Sequence, residues 1–186
     1  MSRFSVMQTP ISGLKLIERK SLSDQRGFFE RLFCIRELES MMNDRSIVQI
    51  NRTFTAKRGV VRGLHFQHPP HAEMKMITCL QGEIFDVAVD VRKGSPTFLH
   101  WHAELLSSGN FRTLVIPEGF AHGFQTLTEE CELIYLHTAP YEPGIEGGLS
   151  PLDPRLAIEW PLTISELSDR DKNHTMIDTS FLGIGV

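Results

Sequence analysis

Two short runs hold residue types that can move a proton: residues 58–67 (RGVVRGLHFQ) and 117–124 (PEGFAHGF). Each sets a histidine, His65 or His122, among glycines and apolar residues. A neutral imidazole accepts a proton near physiological pH, and a glycine lets the backbone bend or come close to a ligand. Such runs suit the wall of a small-molecule site. On its local sequence His65 fits a satisfied core histidine as well as a proton acceptor.

The chain has eight histidines, which raises metal binding as a second chemistry. His100, His102 and Glu104 resemble the first half of a cupin metal motif, and Pro117-x-Gly119-x-x-His122 resembles the second half. The match is broken: the carboxylate follows the second histidine too soon, and no asparagine follows His122 where one is expected. Alternation along a strand already places His100 and His102 on one face, so a structural or solvent-facing reading comes first. His68 and His71, around Pro69-Pro70, read as loop residues.

The elements that must position these groups are short and β-like. Candidate strands cover residues 14–19, 28–33, 47–54, 60–66, 74–80, 84–91, 97–106, 113–116, 123–128 and 132–138, with turn signals such as Gln81-Gly82 and Lys93-Gly94-Ser95-Pro96 between them. Helix is confined to 35–42 and a turn or two within 164–172. Many short strands at this spacing predict an all-β sandwich or barrel, a jelly roll among the options. In 84–91 one face reads Phe85, Val87, Val89, Val91, which is core. The other reads Ile84, Asp86, Ala88, Asp90, which suits either a cavity or solvent. In 131–138, Cys131, Leu133, Tyr135 and His137 share a face, so a phenol and an imidazole point the same way. Strict alternation puts Arg62 and His65 on opposite faces, unless a bulge or bend at Gly63 brings them together.

Composition narrows the partners. At 186 residues the chain has room for one well-buried domain. The net charge of −4 offers no basic excess for nucleic acid or anionic lipid. No apolar run reaches the ~18 residues of a membrane span, and the N-terminal MSRFSVMQTPISG lacks the apolar segment of a secretory signal. Cys34, Cys79 and Cys131 are odd in number and without a CxxC pair, which suits free thiols in a reducing cytoplasm.

Taken together, RGVVRGLHFQ, Lys75, residues 82–98 (GEIFDVAVDVRKGSPTF), 115–127 (VIPEGFAHGFQTL), 132–143 (ELIYLHTAPYEP), 153–161 (DPRLAIEWP) and 167–171 (LSDRD) resemble the dTDP-4-dehydrorhamnose 3,5-epimerase family, from about Ser23 to Asp171 and in the family's order. The resemblance implies an all-β, cupin-type jelly roll or β-sandwich over residues 1–186. It also implies an N-terminal arm of about residues 1–30 that serves a homodimer, and a tail over about 162–186. The implied reaction is metal-free epimerisation at C3 and/or C5 of a nucleotide-linked 4-keto-6-deoxyhexose in deoxysugar biosynthesis, with no cofactor. A hydrogen beside a ketone leaves only if one group takes it and another neutralises the enolate oxygen, while a third returns a proton from the opposite face. By resemblance His65 is the base, Asp171 its orienting carboxylate, Tyr135 the acid and Lys75 the group at the ketone oxygen. Without the resemblance, Lys75 reads as a solvent-facing strand lysine and Tyr135 as a core tyrosine. The resemblance further places Arg62 and Arg26 at the diphosphate, the latter from a second copy. Tyr141 falls near the nucleotide base, with Gln49 and Phe29 close by, and His122 in the site wall.

Departures from the family pattern gather at the nucleotide end. Arg31 replaces a frequent glutamate, residues 49–53 (QINRT) replace the common Q-D-N-H-S, Thr78 stands where arginine is frequent, and residues 147–152 (GGLSPL) replace an R-G-I-R-W segment. The proton-transfer residues are all kept. Two other readings remain: a metal-dependent cupin using His100, His102 and His122, and a non-catalytic nucleotide-sugar-binding module.

Overall fold

A computed structural model describes residues 2–186. The period-2 runs build two antiparallel sheets that face each other. The first orders β1 (Phe4–Gln8), β2 (Lys15–Arg19), β10 (Arg112–Ile116), β7 (Lys75–Gln81), β12 (Cys131–His137) and β5 (Gln49–Thr55). The second orders β13 (Glu146–Gly148), β6 (Val61–Gln67), β11 (Phe120–Thr126), β8 (Glu83–Asp90) and β9 (Trp101–Ser107). A separate hairpin pairs β3 (Leu22–Asp24) with β4 (Gly27–Phe29).

Between the sheets lies an apolar cluster that includes Leu14, Ile77, Ile84, Leu114, Phe124 and Leu133. Removing each such side chain from water contributes about 1.5–3 kcal/mol, the main drive for closing the sandwich. The five-stranded sheet is covered on its outer face as well. Val87 and Val89 of β8 pack there against Leu156, Ile177 and Ile184 from the C-terminal segment. Both faces of β8 are therefore buried, and its mixed face, with Ile84, Asp86 and Ala88, points between the sheets. Helix α1 (Ile35–Met42) buries Leu38, Met41 and Met42, spaced as one helical stripe, against the outer face of the six-stranded sheet.

Several expected boundaries move. Within the expected N-terminal arm, residues 4–8 and 15–19 pair with each other, and 15–19 also with β10, as strands of the six-stranded sheet. The β3–β4 hairpin of the same segment joins neither large sheet, and its Leu22, Phe28 and Phe29 are more than half exposed. The expected strand 28–33 stops at Phe29. The strand expected from residue 97 begins at Trp101, because Leu99 takes φ 64° and the Thr97 hydroxyl caps Asp90 at 2.6 Å. The strand expected at 123–128 runs from Phe120 to Thr126 instead. The helix expected in 164–172 shrinks to α2 (Asp169–Lys172), capped by Ser168.

Candidate active site

A cavity of about 450 Å³ opens between the two sheets, a size that suits a small ligand. One wall comes from β6 and β11, where His65 and His122 are direct partners. Between Arg62 and His65, β6 has two residues where β11 has one between Phe124 and His122, so β6 carries a bulge. The bulge resolves the conflict left by alternation, since Arg62 and His65 both line the cavity. Glycine is required on both strands. A Cβ on Gly63 would sit 2.5 Å from Gly123 Cα, and one on Gly123 would sit 2.7 Å from the Arg62 carbonyl. Gly63 also holds φ +119°, a region that side chains resist.

The opposite wall comes from β7, β12 and β5. Register places Lys75, His137 and Gln49 in one row and Ile77, Tyr135 and Asn51 in the next. His65 and Tyr135 thus reach one hollow from opposed sheets, and His122 spans between, its ring 6.0 Å from that of Tyr135 in an edge contact.

Asp171 arrives from α2. Its backbone N–H donates to the Ser168 hydroxyl at 3.1 Å, which fixes the turn. Its carboxylate accepts from His65 Nε2 at 2.7 Å and from the Gly63 N–H at 3.2 Å. Burial opposes the charge on this carboxylate, but the hydrogen bonds and the neighbouring imidazole hold it below the usual aspartate range. With Nε2–H engaged, His65 keeps Nδ1 as its basic atom, the tautomer being assigned from these partners. The nearest carboxylate to Nδ1 is Glu146, at 3.8 Å. On Tyr135, burial pushes the phenol well above its ordinary range, so it remains a proton donor. Lys75 Nζ lies 3.2 Å from Glu73 Oε1 and 3.4 Å from the His65 carbonyl.

His122 Nε2 meets Asp86 Oδ1 at 2.7 Å, and Asp86 is buried with its carboxyl pushed up by loss of water. Tyr141 is half exposed at the rim. Its N–H donates to Gln49 Oε1 at 2.9 Å and its hydroxyl to Glu146 at 3.3 Å. Gln49 therefore lines the cavity while anchoring the Tyr141 loop.

Two expected residues stand apart. Arg26 is exposed on the β3–β4 hairpin and paired with Asp24 at 2.6 Å, and Phe29 is exposed beside it. Neither lines the cavity of its own chain. The three-histidine metal set does not assemble. His100 is exposed before β9, His102 bonds Glu104 at 2.9 Å, and His122 is held by Asp86. Among the described residues, the ligand-type atoms close enough to share an ion, all within 4.8 Å, belong to His65, Asp171 and His174. Of the departures, Arg31 is ion-paired with Glu37, and Thr78 faces away from the cavity, bonded to Thr113 at 2.6 Å. Gly148 leaves the space that the His174 ring fills; a Cβ there would come within 2.2 Å of it. Sequence reasoning passed over Glu73, Glu146, Arg170 and His174. His137 was placed on the face of Tyr135 by alternation, but Glu73, in a loop before β7, carried no periodic signal.

Two facing antiparallel sheets enclosing a hollow of titratable groups define a cupin-type β-sandwich enzyme. A family model described as dTDP-4-dehydrorhamnose 3,5-epimerase matches residues 8–179. The chain is 42% identical to the dTDP-4-dehydrorhamnose 3,5-epimerase of Salmonella typhimurium, over 95% of this chain and 97% of that one. It is similar to the crystal structure of a dTDP-6-deoxy-D-glucose-3,5-epimerase from Legionella pneumophila in complex with dTDP-4-keto-L-rhamnose. That likeness has a TM-score of 0.90 and 40% identity, covering 97% and 98% of the two chains. A 3′-monoepimerase from Streptomyces bikiniensis in complex with dTDP-quinovose is also similar, with a TM-score of 0.82 and 34% identity over 90% and 85% of the chains. The protein belongs to the dTDP-4-dehydrorhamnose 3,5-epimerase family, a family of isomerases. No helix among the described residues is long and apolar enough to cross a membrane.

Proposed function

We propose that this protein epimerises C3 and/or C5 of a 4-keto-6-deoxyhexose carried on a nucleoside diphosphate of the dTDP type. The observation that carries the reading is the opposition of His65 on one sheet, bonded to Asp171 of α2, and Tyr135 with Lys75 on the other, around one cavity. His65 Nδ1 takes the proton from the carbon beside the ketone. The C–H electron pair becomes the enolate double bond, and the carbonyl oxygen gains the negative charge. Lys75 stabilises that oxygen, as preorganised charge does wherever an oxyanion develops. The Tyr135 hydroxyl then protonates the carbon from the other face, which inverts it, and solvent restores the two groups. Asp171 holds the tautomer and offsets the charge of the imidazolium.

Arg62 at the cavity mouth supplies a planar cation for the diphosphate, and the exposed Tyr141 ring supplies a stacking face for the base. Arg26 and Phe29, on a hairpin that joins neither large sheet, would complete the site of a second copy, so the working form is a homodimer. The free thiols, with Cys79 and Cys131 buried, support a reducing cytoplasm as its location.

The test is proton NMR of a dTDP-4-keto-6-deoxyhexose in D2O with the enzyme. Deuterium entering C3, C5 or both assigns the positions. His65→Ala should slow exchange by roughly 10²–10⁴-fold without unfolding the protein. Absence of exchange at both carbons with wild-type protein removes the proposal.

A further inference from the structure

Lysine is a compact charge on a flexible four-carbon stem, and alone it holds no fixed geometry. In this cavity something fixes it. The Lys75 side chain is 11% exposed, and two of its three N–H groups have protein acceptors: Glu73 Oε1 at 3.2 Å and the His65 carbonyl at 3.4 Å. The third N–H is left for the cavity. Glu73 is itself held at both oxygens, because Oε2 accepts from His137 Nδ1 at 2.7 Å. Both partners are buried, at 7% and 9% side-chain exposure.

The backbone supports the same arrangement. Lys75 and His137 are direct partners across β7 and β12. Just before β7, the Met74 N–H donates to the Thr138 hydroxyl at 2.9 Å, and the Thr138 N–H donates to the Met74 carbonyl at 3.1 Å. The segment bearing Glu73 is thus pinned to the residue after His137. His137 is fixed in turn: its ring stacks on Tyr135 at 6.0 Å with 8° between planes, and its Nε2 lies 3.4 Å from Asn51 Nδ2. A buried carboxylate with one loose oxygen could rotate and carry the ammonium with it. With both oxygens engaged, it cannot.

We propose that Glu73 and His137 are positioning residues that aim the free N–H of Lys75 at the ketone oxygen, Glu73 by direct contact and His137 by locking Glu73. The proposal rests on the epimerase reading above and adds two residues which that reading does not use. Burial alone would discourage a carboxylate here; the His137 and Lys75 contacts keep Glu73 below the usual range, as a lasting ion pair requires.

The test is a cycle of Glu73→Gln, Lys75→Met and the double variant, read by steady-state kinetics on the 4-keto sugar. Glu73→Gln should lower kcat by roughly 10–100-fold with little change in KM, the scale expected when a reacting group is displaced by about 1 Å. In the Lys75→Met background the same change should cost less than about twofold, because residues acting through one group are not additive. His137→Gln should act in the same direction as Glu73→Gln, and Glu73→Asp serves if the glutamine variant does not fold. A second readout needs no turnover: reductive methylation of Lys75, followed by mass spectrometry, should run several-fold faster in Glu73→Gln. An unchanged kcat, unchanged labelling, or an undiminished effect in the Lys75→Met background overturns the proposal. Inactive wild-type protein would instead remove the epimerase reading, and the labelling would still show whether Glu73 holds Lys75.

Discussion

Replacing Asp171 by asparagine keeps the shape of the dyad and removes its charge. The carboxylate uses one oxygen for His65 Nε2 at 2.7 Å and the other for the Gly63 N–H at 3.2 Å. An amide has one oxygen, so one of these donors loses its acceptor. If the amide N–H₂ turns to His65, the imidazole proton moves to Nδ1, the atom that should take the substrate proton. If it turns to Gly63, two donors face each other in a buried site. Loss of a hydrogen bond to a charged group costs about 1.5–3 kcal/mol, or roughly 10–150-fold at 1.36 kcal/mol per decade. The blocked tautomer adds to this, up to the ~10⁴-fold ceiling for losing a general base. We expect Asp171→Asn to lower kcat by ~10²–10⁴-fold, measured by deuterium exchange into the 4-keto sugar, with KM little changed. Stability gives a second sign. A carboxylate whose folded pKa is depressed stabilises the fold above the unfolded value of about 4 and loses that contribution as pH falls through the folded value. The variant should therefore show a flatter loss of stability below about pH 4 than wild type. A folded Asp171→Asn enzyme within fivefold of wild type would refute the role given to this residue.

Tyr135→Phe leaves the base in place, so solvent deuterium should still enter at a carbon that His65 reaches, while inversion falls by roughly 10²–10⁴-fold; NMR separates exchange from epimerisation, and full inversion would count against Tyr135 as the acid. Gly63→Ala should destabilise the fold by about 3 kcal/mol or more, because its Cβ would meet the backbone of Gly123 at 2.5 Å and φ is +119°; urea unfolding measures it, and a change under about 0.5 kcal/mol would contradict the close approach. Asp90 accepts from Arg92, Ser95 and Thr97, which, against the opposing effect of burial, holds its carboxyl down to about 2. Asp90→Asn should cost about 2 kcal/mol at neutral pH, a fall of roughly 4–8 °C in Tm, with the difference from wild type shrinking as pH drops from about 4 towards 2.

The β-sandwich was legible because period-2 alternation survives wherever a strand has one apolar face, as in 131–138. Boundaries failed where a side chain overrode the pattern: Thr97 looks β-like but turns its hydroxyl to Asp90, so β9 begins later than hydrophobicity suggests. β13, with only Glu146, Gly147 and Gly148, has no β-forming sequence; it is a strand because it pairs with β6. Residues 4–8 lie within the expected arm, and pairing with β2 makes them part of the sheet.

At the site, His65, Tyr135, Lys75 and Asp171 were named by motif, and each lines the same cavity. What motifs could not supply is which charged groups lean on them. Glu73 comes from a loop and Glu146 from the three-residue β13, where spacing carries no period, and both line the cavity only through tertiary pairing, while His174 of the tail sets its ring against that of His65. Arg26 and Phe29 mark the opposite case, named from the family resemblance and absent from the cavity of a single chain.

Residue identity and alternation alone determined the all-β class, the setting of His65 and His122 among glycines and the shared face of Tyr135 and His137, because those follow from local stereochemistry. The closeness of Asp171 to His65 and of Glu73 to Lys75 and His137, and the shared cavity of Arg62 and His65, were decided by tertiary structure. The Lys75–His137 pairing depends on strand register and the shared cavity of Arg62 and His65 on a bulge in β6, and both are set by contacts between segments far apart along the chain.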